Sequence, residues 1–260
     1  ASDVYKRQKE MLVYQHDLEK TIYGQHNCLN LNFNEIFKNG FKTRNGDVRP
    51  PASFSSGCQL IAVAFQCQSQ IQYGGVGTIH LDYDLAPLVR MSFAKHYKDG
   101  LKWIVHADEK YINSVPKELS IEDEEAKSHK EVYEYALAML EKEGAQAAQA
   151  LYHNLNTLES RQGSQVPFTS INLGRDTSPE GRLVTKWMME ASIEGIGKFH
   201  LTSIFPISIF QYKFCGKLMS PYGLPTRIIC APVPAYFNDC SIASSEPTHS
   251  NLSLIHISEP

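Results

Sequence analysis

The chain has 260 residues, 42% hydrophobic and 20% charged, so it can bury a core and falls within the range of ordinary globular proteins. Its formal net charge of -3 argues against a surface for nucleic-acid backbone, which normally carries a basic excess. No apolar run reaches the roughly 20 residues that span a bilayer, and no secretory signal opens the chain, so we expect a cytoplasmic protein without a membrane partner.

Both ends of the chain are unusual. The first stretch, ASDVYKRQ at 1–8, and the last, LSLIHISEP at 252–260, resemble translated sequencing-adapter DNA, and we interpret them as foreign. The six cysteines form no C-x-x-C pair, so the sequence does not predict a disulfide framework or a metal site.

Strand and helix signals alternate through the first half. Apolar residues at Cys28, Leu29, Leu31 and Phe33 alternate with polar ones and predict a strand, and 41–51 (FKTRNGDVRPP) predicts a loop. A buried helix follows between the capping residues Ser55 and Ser56 and a stop at 74–75. Gln72 to Gly75 either cap this helix or let backbone approach a ligand.

The second half continues the alternation. One helix covers 85–103, with Pro87 starting or kinking it. An apolar stripe at the 3.6-residue period predicts a long helix over about 130–158. A strand in VPFTSINLG (166–174) follows, then a capped helix that begins near Thr177, Ser178 and Pro179, and finally the apolar segment at 203–212. This order predicts one α/β domain.

Three stretches, taken in order, resemble the class III, glycyl-radical ribonucleoside triphosphate reductases. They are HDLEKTIYGQHNC with PPASFSSGCQLIAVAFQCQSQIQYGG, DYDLAPLVRMSFAKHYKDGLKW, and the long run from YHNLNTLESRQGSQVPFTSINLG to SIFPISIFQYK. The resemblance predicts an internal fragment: the N-terminal part of the catalytic barrel at 9–213, then a divergent, frameshifted or chimeric stretch at 214–251.

The resemblance implies part of a ten-stranded α/β barrel in a homodimer. Such an enzyme reduces ribonucleoside triphosphates at C2′ through a glycyl radical and a thiyl radical. It uses formate or a dithiol as reductant, ATP and dNTP effectors, a C-terminal zinc site, and a radical S-adenosylmethionine activase as partner. The radical glycine, the thiyl cysteine and the zinc cysteines do not occur in this chain, so we expect the chain alone to be inactive.

The H-N-C motif at 26–28 assigns Cys28, by resemblance, as the reducing cysteine, with Asn27 beside the substrate. His16 and Asp17 are expected at the barrel mouth; taken alone they read as surface or capping groups. The hydroxyls of Ser164, Thr169 and Ser170 are candidates for substrate phosphate, although alternating Thr and Ser also suit any half-exposed strand. Effector-binding residues are not assigned. The glycines of INLGRDTSPEG lack the spacing and lysine of a Walker loop.

Two other functions remain open. The chain could belong to a nucleotide-binding or dimerisation module without chemistry, or to a glycyl-radical enzyme of the pyruvate formate-lyase type. The lone cysteines Cys58 and Cys67, inside one helix, are expected to be packing residues. The helices at 85–103 and 130–158 are expected to form the subunit interface and the effector site, because their apolar positions exceed what one barrel face needs.

Overall fold

A computed structural model describes residues 27–43, 46–160 and 164–211 of the chain. These residues form a layer of helices packed on one face of a parallel sheet, which confirms the α/β class. His16, Asp17 and the two stretches interpreted as foreign lie outside the described residues.

The main sheet has four parallel strands in the order β1-β4-β5-β6. The strands are β1 (Leu29–Leu31), β4 (Val76–Thr78), β5 (Thr169–Leu173) and β6 (Ile207–Phe210). Each crossover between neighbours carries one or more helices, as parallel pairing requires. All four strands therefore begin at the same edge of the sheet.

The first strand is shorter than the sequence pattern predicts. Strand β1 ends at Leu31, and helix α1 (Phe33–Asn39) follows at once, so the assignment of Phe33 to a strand is wrong. The Asn32 side chain accepts a hydrogen bond from Glu35 N and caps the helix. Phe33 and Phe37, four residues apart, are buried on one helical face, and this tertiary burial outweighs the apparent alternation.

The loop predicted at 41–51 contains a small antiparallel hairpin. Strand β2 (Phe41–Thr43) pairs with β3 (Gly46–Val48). The turn residues lie between the strands, as the sequence indicates, but the flanking residues pair instead of remaining a loop.

The helices follow the sequence signals closely. Helix α2 (Phe54–Ser69) starts one residue after Ser53, which caps it in a capping box with Ser56. Helix α3 (Leu81–Trp103) begins four residues earlier than expected and runs through Pro87 without ending. The short helices α4 (Glu109–Ser114) and α5 (Glu124–Ser128) lead into α6 (Lys130–Thr157), and α7 (Pro179–Glu194) is capped by Ser178.

Helix α6 lies at the centre of the helical layer. It packs against α2, α3 and α7, and its apolar stripe is buried in this chain's own core. The subunit interface expected on this helix does not include its apolar stripe, because Leu151 and Leu155 are covered by the chain itself. The three helices that surround α6 cover the apolar positions that were expected to need a second subunit.

Gly144 lets α6 approach α7 closely. A Cβ at this position would lie 2.4 Å from ring atoms of Trp187, which is fully buried and contacts the Phe54 ring at a tilted angle, with 5.0 Å between ring centroids. The glycine that interrupts the helical pattern is thus a packing requirement. No helix in the described ranges is both long and apolar enough to cross a membrane.

We expect Gly144→Ala to lower the free energy of unfolding by about 2 kcal/mol. Alanine normally favours a helix by about 1 kcal/mol over glycine, but the rigid indole leaves no space for the methyl group. Urea denaturation measures the change, with Gln146→Ala at an exposed site of the same helix as the control. An increase in stability for Gly144→Ala would contradict the close packing.

Candidate active site

Cys28 lies where β1 begins, at the edge of the sheet from which all four strands start. It is exposed, and its Sγ is 3.6 Å from Oδ1 of Asn27. The next residue, Leu29, opens the β1–β4 ladder by donating its N–H to the Gly75 carbonyl at 3.0 Å. The predicted placement of Cys28 on or beside a strand is confirmed.

The segment after α2 supports this end of β1. Gly74 lies so close to Asn27 that a Cβ would be 2.2 Å from the Asn27 carbonyl oxygen. Gln72 is buried, and its Nε2 donates to the Gly75 carbonyl at 2.7 Å. Helix α2 ends before this segment, at Ser69. Residues 72–75 therefore pack against Asn27 and the start of β1 and do not simply cap the helix.

The face of the sheet opposite the helices is polar beside Cys28. Gly77 in β4 pairs with Asn30 on one side and Ser170 on the other. A Cβ on Gly77 would lie 2.5 Å from Ser170 Oγ and 2.8 Å from Asn30 Oδ1, so the two side chains converge above this glycine. Asn30 was not predicted; the polar position in the apolar strand CLNL was its only signal.

The three predicted phosphate-binding hydroxyls do not lie together. Ser170 lies on the same open face as Asn30. Its strand, β5, is two positions from β1 in the sheet, so the two backbones are roughly 10 Å apart. Thr169 points to the helical side, is buried, and its Oγ1 has no hydrogen-bond partner in the described part. Ser164 is exposed in a turn with φ of 58°. Because neighbouring residues of a strand face opposite ways, a ligand on the open face can reach Ser170 but not Thr169.

A buried acidic cluster lies at the opposite edge of the sheet, in the first turn of α3. Asp82 Oδ2 accepts the N–H groups of Gly174 at 2.9 Å and Asp176 at 2.8 Å and so holds the loop after β5. Asp84 lies 3.1 Å from Nδ1 of His80. Burial raises the pKa of Asp84 to about 6, and the Asp82 charge adds to the rise, although His80 opposes it. The sequence HLDYD (80–84) contains these residues, but no role for them was predicted from it.

A second buried charge joins three helices. Glu143 of α6 contacts His96 Nε2 at 2.7 Å and accepts hydrogen bonds from Ser92 Oγ at 3.0 Å and Ser55 N at 3.2 Å. Burial alone would raise the pKa of Glu143, but these hydrogen bonds outweigh it and the pKa is lowered. Glu143 thereby provides negative charge at the N-terminus of α2, where a helix dipole favours it.

The Glu143 group forms one wall of a cavity of about 780 Å³ between α2, α3 and α6. The exposed Lys95 and Lys142 lie at its border, with Gln59, Gln146 and the serines that begin α2. The cavity is large enough for a small ligand and combines cationic and hydrogen-bonding side chains.

The other described cysteines differ from each other. Cys58 is buried in α2, and burial raises its pKa far above the usual range, as expected for a packing residue. Cys67 is exposed, so its predicted place in the core is wrong. No group of three or more His, Cys, Asp or Glu side chains in the described ranges is arranged to hold a metal ion.

Comparison with known proteins shows the family of this chain. A family model described as anaerobic ribonucleoside-triphosphate reductase matches residues 1–217. The chain belongs to this family. The matched range includes residues 1–8, which were interpreted as foreign, and extends four residues beyond Lys213.

Enzymes named anaerobic ribonucleoside-triphosphate reductase are similar to this chain in bacteria and a phage. The protein of Haemophilus influenzae is 30% identical over 213 residues, 81% of this chain and 26% of its own length. That of Escherichia coli K12 has the same identity and coverage, and that of phage T4 is 28% identical over 79% of this chain and 30% of its own length. The chain thus spans about a quarter of these relatives.

We expect Asp84→Asn to stabilise the protein at alkaline pH. Because the folded-state pKa lies above the ordinary 3.8, the fold favours the protonated carboxyl; its contribution is complete below about pH 4 and is lost as the pH rises through about 6. The neutral amide should therefore gain about 2 kcal/mol at pH 8 and little at pH 4.

Thermal unfolding at the two pH values measures this difference. Asp47→Asn, at an exposed position of β3, is the matched control and should change stability equally little at both. A gain for Asp84→Asn that is as large at pH 4 as at pH 8 would contradict the assignment.

Proposed function

We propose that this chain is part of the catalytic subunit of an anaerobic reductase that converts ribonucleoside triphosphates to 2′-deoxyribonucleoside triphosphates. The supporting observation is the place of Cys28, an exposed thiol at the start of the first strand in a chain that belongs to this family. The polar open face beside it, with Asn30 and Ser170, suits the hydroxyls of a ribose.

Cys28 acts as the reducing thiol in this proposal. Its sulfur gives a hydrogen atom to C2′ of the substrate as the 2′ hydroxyl, with a proton, leaves as water, and formate or a second thiol supplies the other reducing equivalent. A glycyl radical installed by a radical S-adenosylmethionine activase starts the reaction in this proposal, from a glycine assigned to a part of the enzyme outside this chain. Zinc is likewise assigned to a part of the enzyme beyond the described residues.

The four-stranded sheet is proposed to be part of the family's ten-stranded barrel, with its open face inward. The polar residues on this face, including Asn172, suit a barrel interior that receives a polar substrate. His16, Asp17 and Asn27 remain proposed contacts at the barrel mouth, and the homodimer remains part of the proposal, through surfaces other than Leu151 and Leu155.

We expect Cys28→Ser to abolish deoxyribonucleotide formation in the full-length enzyme, with a loss of at least about 1,000-fold. A serine O–H is too strong to give up a hydrogen atom, whereas the small change in size should leave stability within about 1 kcal/mol. Product formation after anaerobic activation measures the effect.

Cys67→Ser is the matched control, because Cys67 is another exposed thiol and lies on helix α2, outside the strand that carries Cys28. It should retain full activity. Deoxyribonucleotide synthesis by Cys28→Ser would remove Cys28 from the mechanism, and activity on a small carbon substrate would favour a pyruvate formate-lyase type of enzyme. Nucleotide binding without any turnover in the full-length protein would favour a non-catalytic module.

Effector nucleotides are proposed to bind in the cavity between α2, α3 and α6. Lys95 and Lys142 come from different helices and can both approach a triphosphate, and Gln59 and Gln146 can hydrogen-bond a base or sugar. Because three helices of the layer meet at this cavity, a bound nucleotide can bias how they pack against the sheet.

We expect Lys95→Ala with Lys142→Ala to weaken dNTP binding about 10- to 100-fold, since two charge-assisted contacts to phosphate are lost. Basal activity without effector should persist. Calorimetric dNTP titration and activity with and without dNTP measure both effects, with Lys130→Ala at an exposed site of α6 as the control. Unchanged dNTP affinity in the double variant would place the effector site elsewhere.

A further inference from the structure

The hydrogen bond nearest to Cys28 in the β1–β4 ladder lies at the very next residue. Strand β1 has three residues, and its ladder with β4 opens with the bond from Leu29 N to the Gly75 carbonyl. Within the described residues, β1 pairs with β4 alone. The direction in which the chain leaves Leu29 toward Cys28 is therefore set by where the Gly75 carbonyl lies.

The Gly75 carbonyl is itself held by a buried side chain. Nε2 of Gln72 donates to it at 2.7 Å and to the Gly74 carbonyl at 3.3 Å. Two carbonyl acceptors on the same side require the NH2 end of the amide there, so the orientation of the Gln72 side chain is determined by its partners. Its Oε1 accepts from Gln68 Nε2 at 3.0 Å, which anchors the amide to the last turn of α2.

The 72–75 segment also contacts Asn27, the residue before Cys28. Gly74 approaches the Asn27 carbonyl so closely that no side chain fits there, and Asn27 in turn contacts the Cys28 thiol. A shift of the 72–75 segment therefore moves Asn27 and the start of β1 together. The chain of contacts runs from Gln68 through Gln72 and Gly75 to the residue next to the thiol.

Burial of Gln72 is not explained by packing alone. Only 4% of the residue is exposed, and a buried amide is unfavourable unless it is hydrogen-bonded, whereas an apolar side chain of similar length would fill the space without that cost. Helix α2 has already ended at Ser69, so the amide is not required as a helix cap.

We propose that Gln72 is a positioning residue for Cys28, acting through the Gly75 carbonyl. The proposal rests on the proposed reductase function, because a reducing thiol must lie within a narrow distance of C2′ to transfer a hydrogen atom, and a misplacement of 1 Å can lower a rate about 100-fold. Gln72 touches no reacting atom in this role.

The test uses Gln72→Met in the full-length enzyme, since methionine has similar length and no amide. In the radical-free enzyme, the rate at which iodoacetamide alkylates Cys28 should change about tenfold, as expected when a buried hydrogen bond next to the thiol is lost. In the activated enzyme kcat should fall about 10- to 100-fold while KM stays within about twofold.

The chain contains its own controls for a general loss of structure. Cys67 is exposed and Cys58 is buried on the same helix α2, so an unchanged alkylation rate at Cys67 and continued protection of Cys58 indicate an intact fold. Gln70→Met, at an exposed position two residues away, should leave Cys28 reactivity and kcat unchanged. Gln72→Glu, which keeps the size and replaces the NH2 donor, is the second variant.

Unchanged Cys28 alkylation and kcat in a folded Gln72→Met enzyme would overturn the proposal. Exposure of Cys58 in both variants would also overturn it, because Gln72 would then maintain the fold and not the thiol. The alkylation measurement does not require turnover: if Gln72→Met alters Cys28 reactivity but the Cys28→Ser enzyme still makes deoxyribonucleotides, the reductase role of Cys28 fails while its positioning by Gln72 stands.

Discussion

Strand β4 is the element on which the rest of the structure depends, because it pairs with β1 on one side and β5 on the other. All three of its residues are buried although the strand is short. Gly77 at its centre leaves room for Asn30 and Ser170 to converge on the open face. The order of the sheet therefore follows from the pairing of β4 with β1 and β5. The shape of the candidate site follows from the absence of a side chain at Gly77.

In the helical layer, three long amphipathic helices, α2, α3 and α7, pack around α6. Close approach is achieved at Gly144, where the Trp187 ring occupies the place of a side chain. The buried charge of Glu143 is paired in this layer, because its carboxylate contacts His96, Ser92 and the N-terminus of α2 together. The same arrangement leaves a cavity with cationic borders that is open to solvent.

The two edges of the sheet have different chemistry. The edge where the strands begin presents the exposed Cys28 beside the polar open face, with the buried Gln72 beneath them. At the other edge the buried carboxylates of Asp82 and Asp84 hold the loop after β5 and the start of α3. One edge is thus suited to reaction, whereas the other stabilises the loops.

The sequence by itself determined the α/β class, the long helix at 130–157, the cap of α7 and the place of Cys28 at a strand, because periodicity and capping are local properties of the chain. It placed the cap of α2 at Ser55 and Ser56, two residues or more beyond the actual cap, Ser53. Only the tertiary structure decided that Phe33 begins a helix, that Leu151 and Leu155 face the chain's own core, and that Thr169 and Ser170 lie on opposite faces. It also brought Gln72 to the carbonyl beside Cys28. These outcomes depend on which distant surfaces meet, and a linear pattern records that a residue is apolar or polar but not which partner covers it.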